Sequence, residues 1–169
     1  MSEVQKHHPQ QMSSHHDVIA DILETDLSYG DVVQLNVVSN SMQPLMSIGD
    51  QVIAEITPSD EIEQGDIVVI RRNHDYLTHR IINQKHNTWV TKGDNNVLPD
   101  PKISQDKLIG RVTIIKKGNR SINLQSQQWV FLNPLLAKLS SFESRAFSIH
   151  PYFRLPFRFT IRTIQSILF

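Results

Sequence analysis

Cysteine is absent from this sequence of 169 residues. Its absence excludes a disulfide framework, a thiolate nucleophile and a cysteine zinc site, and it leaves the redox compartment undetermined. The chain also lacks an apolar run of about 18 residues or more, the length that predicts a membrane-spanning helix. Its first residues are polar and acidic, whereas a secretory signal peptide begins with a basic segment followed by an apolar one. The sequence therefore predicts neither a membrane span nor a signal peptide.

Net charge is absent as well, because 17 basic residues balance 17 acidic ones. The charges are unevenly distributed, with −5 over residues 1–31, +1 over 32–127 and +4 over 128–169. A nearly neutral middle segment argues against a nucleic-acid partner, which would require a basic surface. The basic C-terminal segment suits anionic lipid or an acidic protein.

The length corresponds to about one domain with flanking segments. Residues 1–14 are rich in His, Gln and Ser without an apolar period, and they predict a disordered lead-in that offers no defined metal cage. Residues 15–127 predict a β domain that opens with a short helix over 17–27. Residues 128–169 predict an amphipathic, basic C-terminal tail.

The tail has two helical features. Asn133-Pro134 is typical of a helix cap and first helical position. Apolar residues follow at three- and four-residue steps, namely Leu132, Leu135, Leu136, Leu139 and Phe142. Farther along, Arg154, Arg158 and Arg162 are spaced by four, so a helix would align them on one side. Such a basic and apolar segment suits peripheral membrane contact, packing on the body or pairing with another chain, and these alternatives stay open.

The middle of the chain predicts a mainly β fold with antiparallel strands. Val33, Leu35 and Val37 alternate with polar residues, and β-branched runs follow at 51–56, 66–71, 78–82, 88–91, 111–116 and 121–124. Turn-forming residues at 84–87 and 117–120 separate two of the pairs in the manner of hairpins. No helical segments alternate with the strands, so a parallel β-α-β sheet is not expected.

Four polar segments of this β domain stand out as candidates for chemistry. They are Ser39-Asn40-Ser41-Met42-Gln43-Pro44, Gly49-Asp50, Thr78-His79-Arg80, and Lys92-Gly93-Asp94-Asn95-Asn96 followed by Asp100. Each segment alone is typical of turns or of a structural histidine. Their combination and order are more specific than any one of them.

These segments, with Gly-Asp-Ile-Val-Val at 65–69 and Leu-Ile-Gly-Arg-Val at 108–112, resemble the type I signal peptidase family over about residues 33–115. The resemblance implies a serine peptidase on an antiparallel, coiled β-sheet or barrel, with no cofactor. By position it makes Ser41 the nucleophile, His79 the base, and Asp94 and Asp100 the acidic partners. A histidine at the base position resembles the archaeal and endoplasmic-reticulum branch, whereas the common bacterial enzymes have lysine. The N-terminal membrane anchor usual in the family is not found in this sequence.

The residue chemistry agrees with these roles. A serine hydroxyl needs a base to take its proton, and an imidazole with a pKa near roughly 6.5 is largely neutral at pH 7. Either Asp94 or Asp100 would orient the ring, and the sequence does not decide between them. The backbone N–H of Ser41 is one candidate oxyanion donor, and the resemblance adds the Ser39 side chain.

Other residues are assigned supporting roles. Arg80 is expected to brace the site through a carboxylate, since a guanidinium does not deprotonate. Lys92 is the competing base, but we expect it on an exposed turn, where a lysine stays charged. The family's preference for small residues at the first and third positions before the cut implies two shallow apolar pockets. Met42, Leu45, Ile48 and Ile53 are the candidate linings.

The expected substrate is a signal or leader peptide cut after an Ala-x-Ala-like sequence. One alternative is a soluble leader peptidase of a peptide maturation pathway. Another is a self-cleaving relative of the SOS repressor proteases, which need a lysine base and an internal Ala-Gly or Cys-Gly bond; this sequence contains neither dipeptide. A third is an inactive β module that binds a membrane or a partner.

Overall fold

The computed structural model describes residues 27–72, 75–85 and 88–149, together with residues 160 and 163. The predicted lead-in at 1–14 and the tail arginines Arg154, Arg158 and Arg162 lie outside the described residues. So does the helix predicted over 17–27, except for its last residue.

The described residues contain one eight-stranded sheet. Its strands are β1 (Val32–Asn36), β2 (Gln51–Glu55), β3 (Ile67–Arg72), β4 (Asp75–Lys85), β5 (Thr88–Lys92), β6 (Ile103–Ser104), β7 (Leu108–Lys117) and β8 (Arg120–Asn123). The order across the sheet is β1-β2-β7-β3-β4-β5-β6, and β8 pairs with β7. Every pairing is antiparallel, which confirms the predicted mainly β, antiparallel fold.

Besides β7, which begins at Leu108 and not at the predicted residue 111, two strands differ from the sequence prediction. β4 spans 11 residues, longer than the predicted 78–82, because its outer part pairs with β3 and β5 although its side chains are more exposed. β6 was not predicted, since a strand of two residues has no period to detect. Both differences arise from backbone pairing with neighbours, a feature that side-chain alternation does not reveal.

The core consists of two apolar clusters. The larger one contains Met42, Leu45 and Met46 from the loop between β1 and β2. The smaller one contains Ile81 and Trp89 from β4 and β5. The loop after β1 and the inner half of β4 are therefore fixed by packing, and both carry predicted site residues.

One long helix, α1 (Gln127–Ile149), follows the last strand and has Pro134 inside it. The predicted cap at Asn133-Pro134 is wrong, because the helix begins at Gln127, and the Asn133 side chain instead accepts a hydrogen bond from Arg80 Nη1 at 2.8 Å. Pro134 cannot donate to the carbonyl of Val130 and its ring crowds that carbonyl, but Val130 is 60% exposed, so the carbonyl can tilt toward water. The helix thus continues through the proline.

The polarity of α1 also differs from expectation. Leu136 is buried, but Leu135 and Phe142 of the predicted apolar face are 39% and 55% exposed. The buried side instead includes the polar residues Asn133, Ser140, Glu143 and Ser144. They are buried because they pair with polar groups of the sheet and its loops, which a one-dimensional apolar pattern does not show.

Candidate active site

Ser41 lies in the loop between β1 and β2, and the fold of that loop is fixed locally. The Asp50 carboxylate accepts the N–H of Ser47 at 2.8 Å, and Val37 donates to the Asp50 carbonyl at 2.8 Å. Met42 beside Ser41 is buried in the core. Ser41 itself remains half-buried, so its hydroxyl is held near the surface on a packed loop. The Ser41 and Ser39 hydroxyl oxygens are 3.1 Å apart.

His79 lies on the inner half of β4 and is 2% exposed. Its Nδ1 atom is 2.6 Å from Oδ2 of Asp100. A carboxylate only accepts, so Nδ1 carries the proton and, in the neutral ring, Nε2 carries the lone pair. Among the described residues, Nε2 has no hydrogen-bond partner. The ring therefore has Nε2, an atom buried from solvent, as its hydrogen-bond acceptor.

Asp100 is fixed in place by Thr91 of β5. The Thr91 hydroxyl donates to Asp100 Oδ2 at 2.8 Å, and the Asp100 N–H donates to the Thr91 carbonyl at 2.8 Å. Burial by itself raises the pKa of Asp100, but the hydrogen bond and charge of His79, together with the Thr91 hydrogen bond, hold that pKa below its usual range. Asp100 is therefore a carboxylate suited to stabilise an imidazolium.

Asp94 has a different partner. Its two carboxylate oxygens accept hydrogen bonds from Arg80 Nε at 2.9 Å and Nη2 at 2.8 Å. Both side chains are buried, with 0% and 1% exposure. This bidentate ion pair places Arg80 against a carboxylate, as the sequence predicts. Asp100, and not Asp94, is the carboxylate that contacts the His79 ring.

Gly93 brings the serine loop and the histidine together. A Cβ atom at Gly93 would lie 2.6 Å from the Ser41 carbonyl oxygen and 2.8 Å from His79 Nε2. The backbone N–H of Asn95, two residues after Gly93, donates a hydrogen bond to the same Ser41 carbonyl at 2.8 Å. The turn after β5 thus contacts both residues, and only glycine leaves room for that approach.

The Ser41 and His79 side chains are not hydrogen-bonded to each other, because the Ser41 hydroxyl contacts Ser39 and Nε2 has no partner among the described residues. In enzymes without a bound substrate, the hydrogen bond between nucleophile and base is often long and shortens only when substrate binds. Both residues lie next to Gly93, and no hydrogen bond joins their side chains.

Lys92 is not on an exposed turn, and that expectation is wrong. The residue is 0% exposed, and its Nζ donates to Glu143 Oε2 at 2.7 Å and to Ser140 Oγ at 2.8 Å. Both partners belong to α1, which the sequence did not place beside β5. A charged lysine can be buried when a carboxylate neutralises it.

The four candidate pocket residues lie in different environments. Met42 and Leu45 are in the core, with 2% and 0% exposure, so their side chains support the serine loop from below. The Met42 sulfur also accepts the Asp94 N–H at 3.4 Å. Ile53 is half-buried on β2, and Ile48 is 62% exposed on the loop. The structure does not bring these four together around one pocket.

Sequence reasoning missed three residues of this site. The strand pattern assigns no role to Thr91, the candidate segment 92–96 assigns none to Gly93 itself, and Glu143 has no predicted role. Glu143 did carry a signal, because it is the one acidic residue among residues 128–169. A lone carboxylate in a basic segment is a candidate for a buried ion pair.

The model of the family described as Peptidase S24-like matches residues 1–117. The match contains the serine loop, His79, Asp94 and Asp100, and it ends before α1. No curated protein matches this chain.

Proposed function

Because the chain belongs to the Peptidase S24-like family of serine peptidases, we propose that it cleaves peptide bonds with Ser41 as nucleophile, His79 as base and Asp100 as the group that orients the base. The observation that carries this assignment is the His79 ring. Its Nδ1 atom is hydrogen-bonded to Asp100 at 2.6 Å, and its Nε2 atom lies next to Gly93, which also lies next to the Ser41 carbonyl.

In the proposed reaction the Ser41 hydroxyl turns from Ser39 to His79 and gives its proton to Nε2. The oxygen attacks the substrate carbonyl carbon, and the carbonyl π electrons move to oxygen to form the tetrahedral oxyanion. The imidazolium then protonates the leaving amine, and the C–N bond breaks to leave an ester on Ser41. Water, deprotonated by the same nitrogen, hydrolyses that ester and restores the hydroxyl.

The oxyanion needs hydrogen-bond donors, and Ser39 is well placed to supply one. The Ser39 hydroxyl oxygen lies 3.1 Å from the Ser41 hydroxyl oxygen. A substrate carbonyl attacked by Ser41 would therefore lie near the Ser39 hydroxyl. The Ser41 N–H is the second donor in the proposal. Removing a single oxyanion donor costs about 100- to 1000-fold in turnover.

The substrate we propose is a signal or leader peptide with small residues at the first and third positions before the cut. This rests on the resemblance of the six sequence segments to type I signal peptidases. Incubation with an Ala-x-Ala peptide, a matched Leu-x-Leu peptide and the Ser41→Ala variant tests it. We expect a new fragment ending in alanine from the first peptide only, and none with the variant. Equal cleavage of both peptides would reject the small-residue preference.

Self-cleavage is the alternative within the wider family, which includes LexA as well as signal peptidase I. The intact mass of the wild-type chain after incubation separates the two activities. The proposal predicts an unchanged mass with cleavage of added peptide. A shortened chain absent from Ser41→Ala would favour self-cleavage, and no cleavage of either kind would favour an inactive binding module.

We also propose peripheral membrane contact, supported by the outward side of α1. Among the helices that the structure describes, none combines the length and apolar character that a membrane crossing requires. The exposed residues Phe131, Leu135, Lys138, Phe142 and Arg145 recur at three- and four-residue steps on one side of α1. Glu143, the acidic residue of the helix, is buried against Lys92. An apolar side whose exposed charges are basic suits an anionic lipid surface.

Vesicle sedimentation tests this contact. We expect the full chain to bind phosphatidylcholine vesicles that contain phosphatidylglycerol more tightly than vesicles without it. Each basic residue near an anionic surface contributes about 1 kcal/mol, so Lys138→Gln with Arg145→Gln weakens binding roughly 30-fold. The exposed residues Lys102 and Lys107, changed in the same way, provide the control. An equal loss of vesicle binding in the control, or no binding to either kind of vesicle, would contradict the contact. So would a dimer that Phe131→Ser disrupts, because this side of α1 would then pair with a second copy of the chain.

A further inference from the structure

Three polar contacts link α1 to residues beside the site. Asn133 accepts from Arg80, the neighbour of His79, at 2.8 Å. Ser140 and Glu143 accept from Lys92, the neighbour of Gly93, at 2.8 and 2.7 Å. The helix also packs closely on the turn before β3, where a Cβ at Gly65 would lie 2.7 Å from the Asn133 carbonyl carbon. Between Asn133 and Glu143, the helix therefore contacts residues that lie next to the candidate site.

The Lys92 contact acts directly on the turn that holds Ser41. Lys92 is the last residue of β5, and Gly93, Asp94 and Asn95 follow it. Asn95 donates its backbone N–H to the Ser41 carbonyl at 2.8 Å and its side-chain amide to the Asn40 carbonyl at 3.1 Å. A shift of Lys92 would move the turn, and the turn would move the serine loop.

The ion pair is fully buried, with 0% and 1% side-chain exposure. A buried ion pair is weak evidence of stabilisation, because two apolar residues of similar volume often give equal or greater stability. A directional, charge-assisted hydrogen bond does, however, fix the positions of both partners. Here the ion pair joins β5 to α1, two elements that are far apart in sequence.

From these contacts we propose that Lys92 and Glu143 are positioning residues. Their buried ion pair, completed by Ser140, fixes the Gly93–Asn95 turn against Ser41 and makes α1 part of the catalytic unit although it lies outside the family match. This inference rests on the proposed peptidase function. It also gives Lys92 a structural task at the site instead of the role of base.

The test compares two double variants with a control on the same helix. Lys92→Met with Glu143→Met removes both charges, and we expect an unfolding temperature at or above that of the wild type. We also expect kcat to fall about 100-fold with little change in KM, as for a small displacement of a nucleophile. Lys92→Arg with Glu143→Asp keeps an ion pair of similar length and should recover most of kcat. Gln127→Met, at an exposed position of α1 with no role in the proposed sites, should match the wild type.

Other results would overturn the proposal. Unchanged kcat in the Met pair would show that the ion pair does not position the nucleophile. Failure of the Arg and Asp pair to recover activity, together with loss of the wild-type pH profile, would identify Lys92 as the base.

A second readout does not depend on cleavage. Hydrogen exchange of the Asn95 amide, which donates to the Ser41 carbonyl, should accelerate in the Met pair and stay slow in Gln127→Met. If the wild type cleaves no peptide, the proposed function fails while this measurement still tests the positioning. Unchanged exchange of Asn95 in a folded Met pair would overturn the inference by itself.

Discussion

The His79 ring and the Asp100 carboxylate are joined by a 2.6 Å hydrogen bond between Nδ1 and Oδ2. The other nearby carboxylate, Asp94, is bound by both ends of the Arg80 guanidinium. The two acidic residues that the sequence could not tell apart therefore have separate tasks. Asp100 contacts His79, which it orients in the proposed mechanism, and Asp94, on the turn after β5, pairs with Arg80.

Substitution of the two aspartates should give opposite phenotypes. Asp100→Asn is expected to keep the fold and lower kcat by roughly 10³- to 10⁴-fold, because the amide favours the wrong tautomer of His79. Asp94→Asn leaves Arg80 without its charge partner and should cost about 3–5 kcal/mol of unfolding free energy. Peptide cleavage and urea denaturation measure the two effects. A stable Asp94→Asn protein combined with an unfolded Asp100→Asn protein would reverse the assignment.

Gly93→Ala should inactivate the protein by crowding. Its methyl group would lie 2.6 Å from the Ser41 carbonyl oxygen and 2.8 Å from His79 Nε2, so one of these residues must move. A displacement of about 1 Å costs about 100-fold in kcat. Gly30→Ala is a suitable control, because Gly30 has a φ of +90° and open space around it. The control should lose about 1–2 kcal/mol through backbone strain and keep its kcat. Full activity of Gly93→Ala would show that the turn is not in close contact with the site.

The pH dependence of folding should report on Asp100. Its pKa is held below the ordinary value of 3.8, so the folded state favours the carboxylate more than the unfolded state does. The resulting stability is present above pH 3.8 and is lost as the pH falls through the lower, folded pKa. The free energy of unfolding should therefore fall more steeply on acidification in the wild type than in Asp100→Asn. Parallel curves from urea titrations at several pH values would contradict this linkage.

Cleavage should also depend on pH through the base. A general base accepts a proton only in its unprotonated form, so activity is expected to fall toward acid pH. A rate that rises only near the ordinary lysine range, about pH 10, would point to Lys92 instead. The buried contact of Lys92 with Glu143 favours the first outcome. The measurement is kcat/KM for one peptide across the pH range in which the protein stays folded.

The sequence predicted the sheet well because alternating apolar residues determine which side of a strand is buried. It also predicted Ser41 and His79 as partners, and in the structure both lie next to Gly93. It did not decide between Asp94 and Asp100, because that depends on whether Arg80 or His79 lies closer to each carboxylate. The predictions of an exposed Lys92 and of an apolar buried face on α1 are wrong for a similar reason. Glu143 is 51 residues from Lys92 in the chain, and only the folded structure brings them together.

The most direct test of the proposed site is a double-mutant cycle on Ser41 and His79. Single-turnover cleavage of an Ala-x-Ala peptide should be measured for the wild type, Ser41→Ala, His79→Ala and the double variant. If the serine and the histidine act as one unit, the double variant should lose no more activity than either single variant. Losses that multiply, or a His79→Ala protein that cleaves at the wild-type rate, would contradict a site built on these two residues.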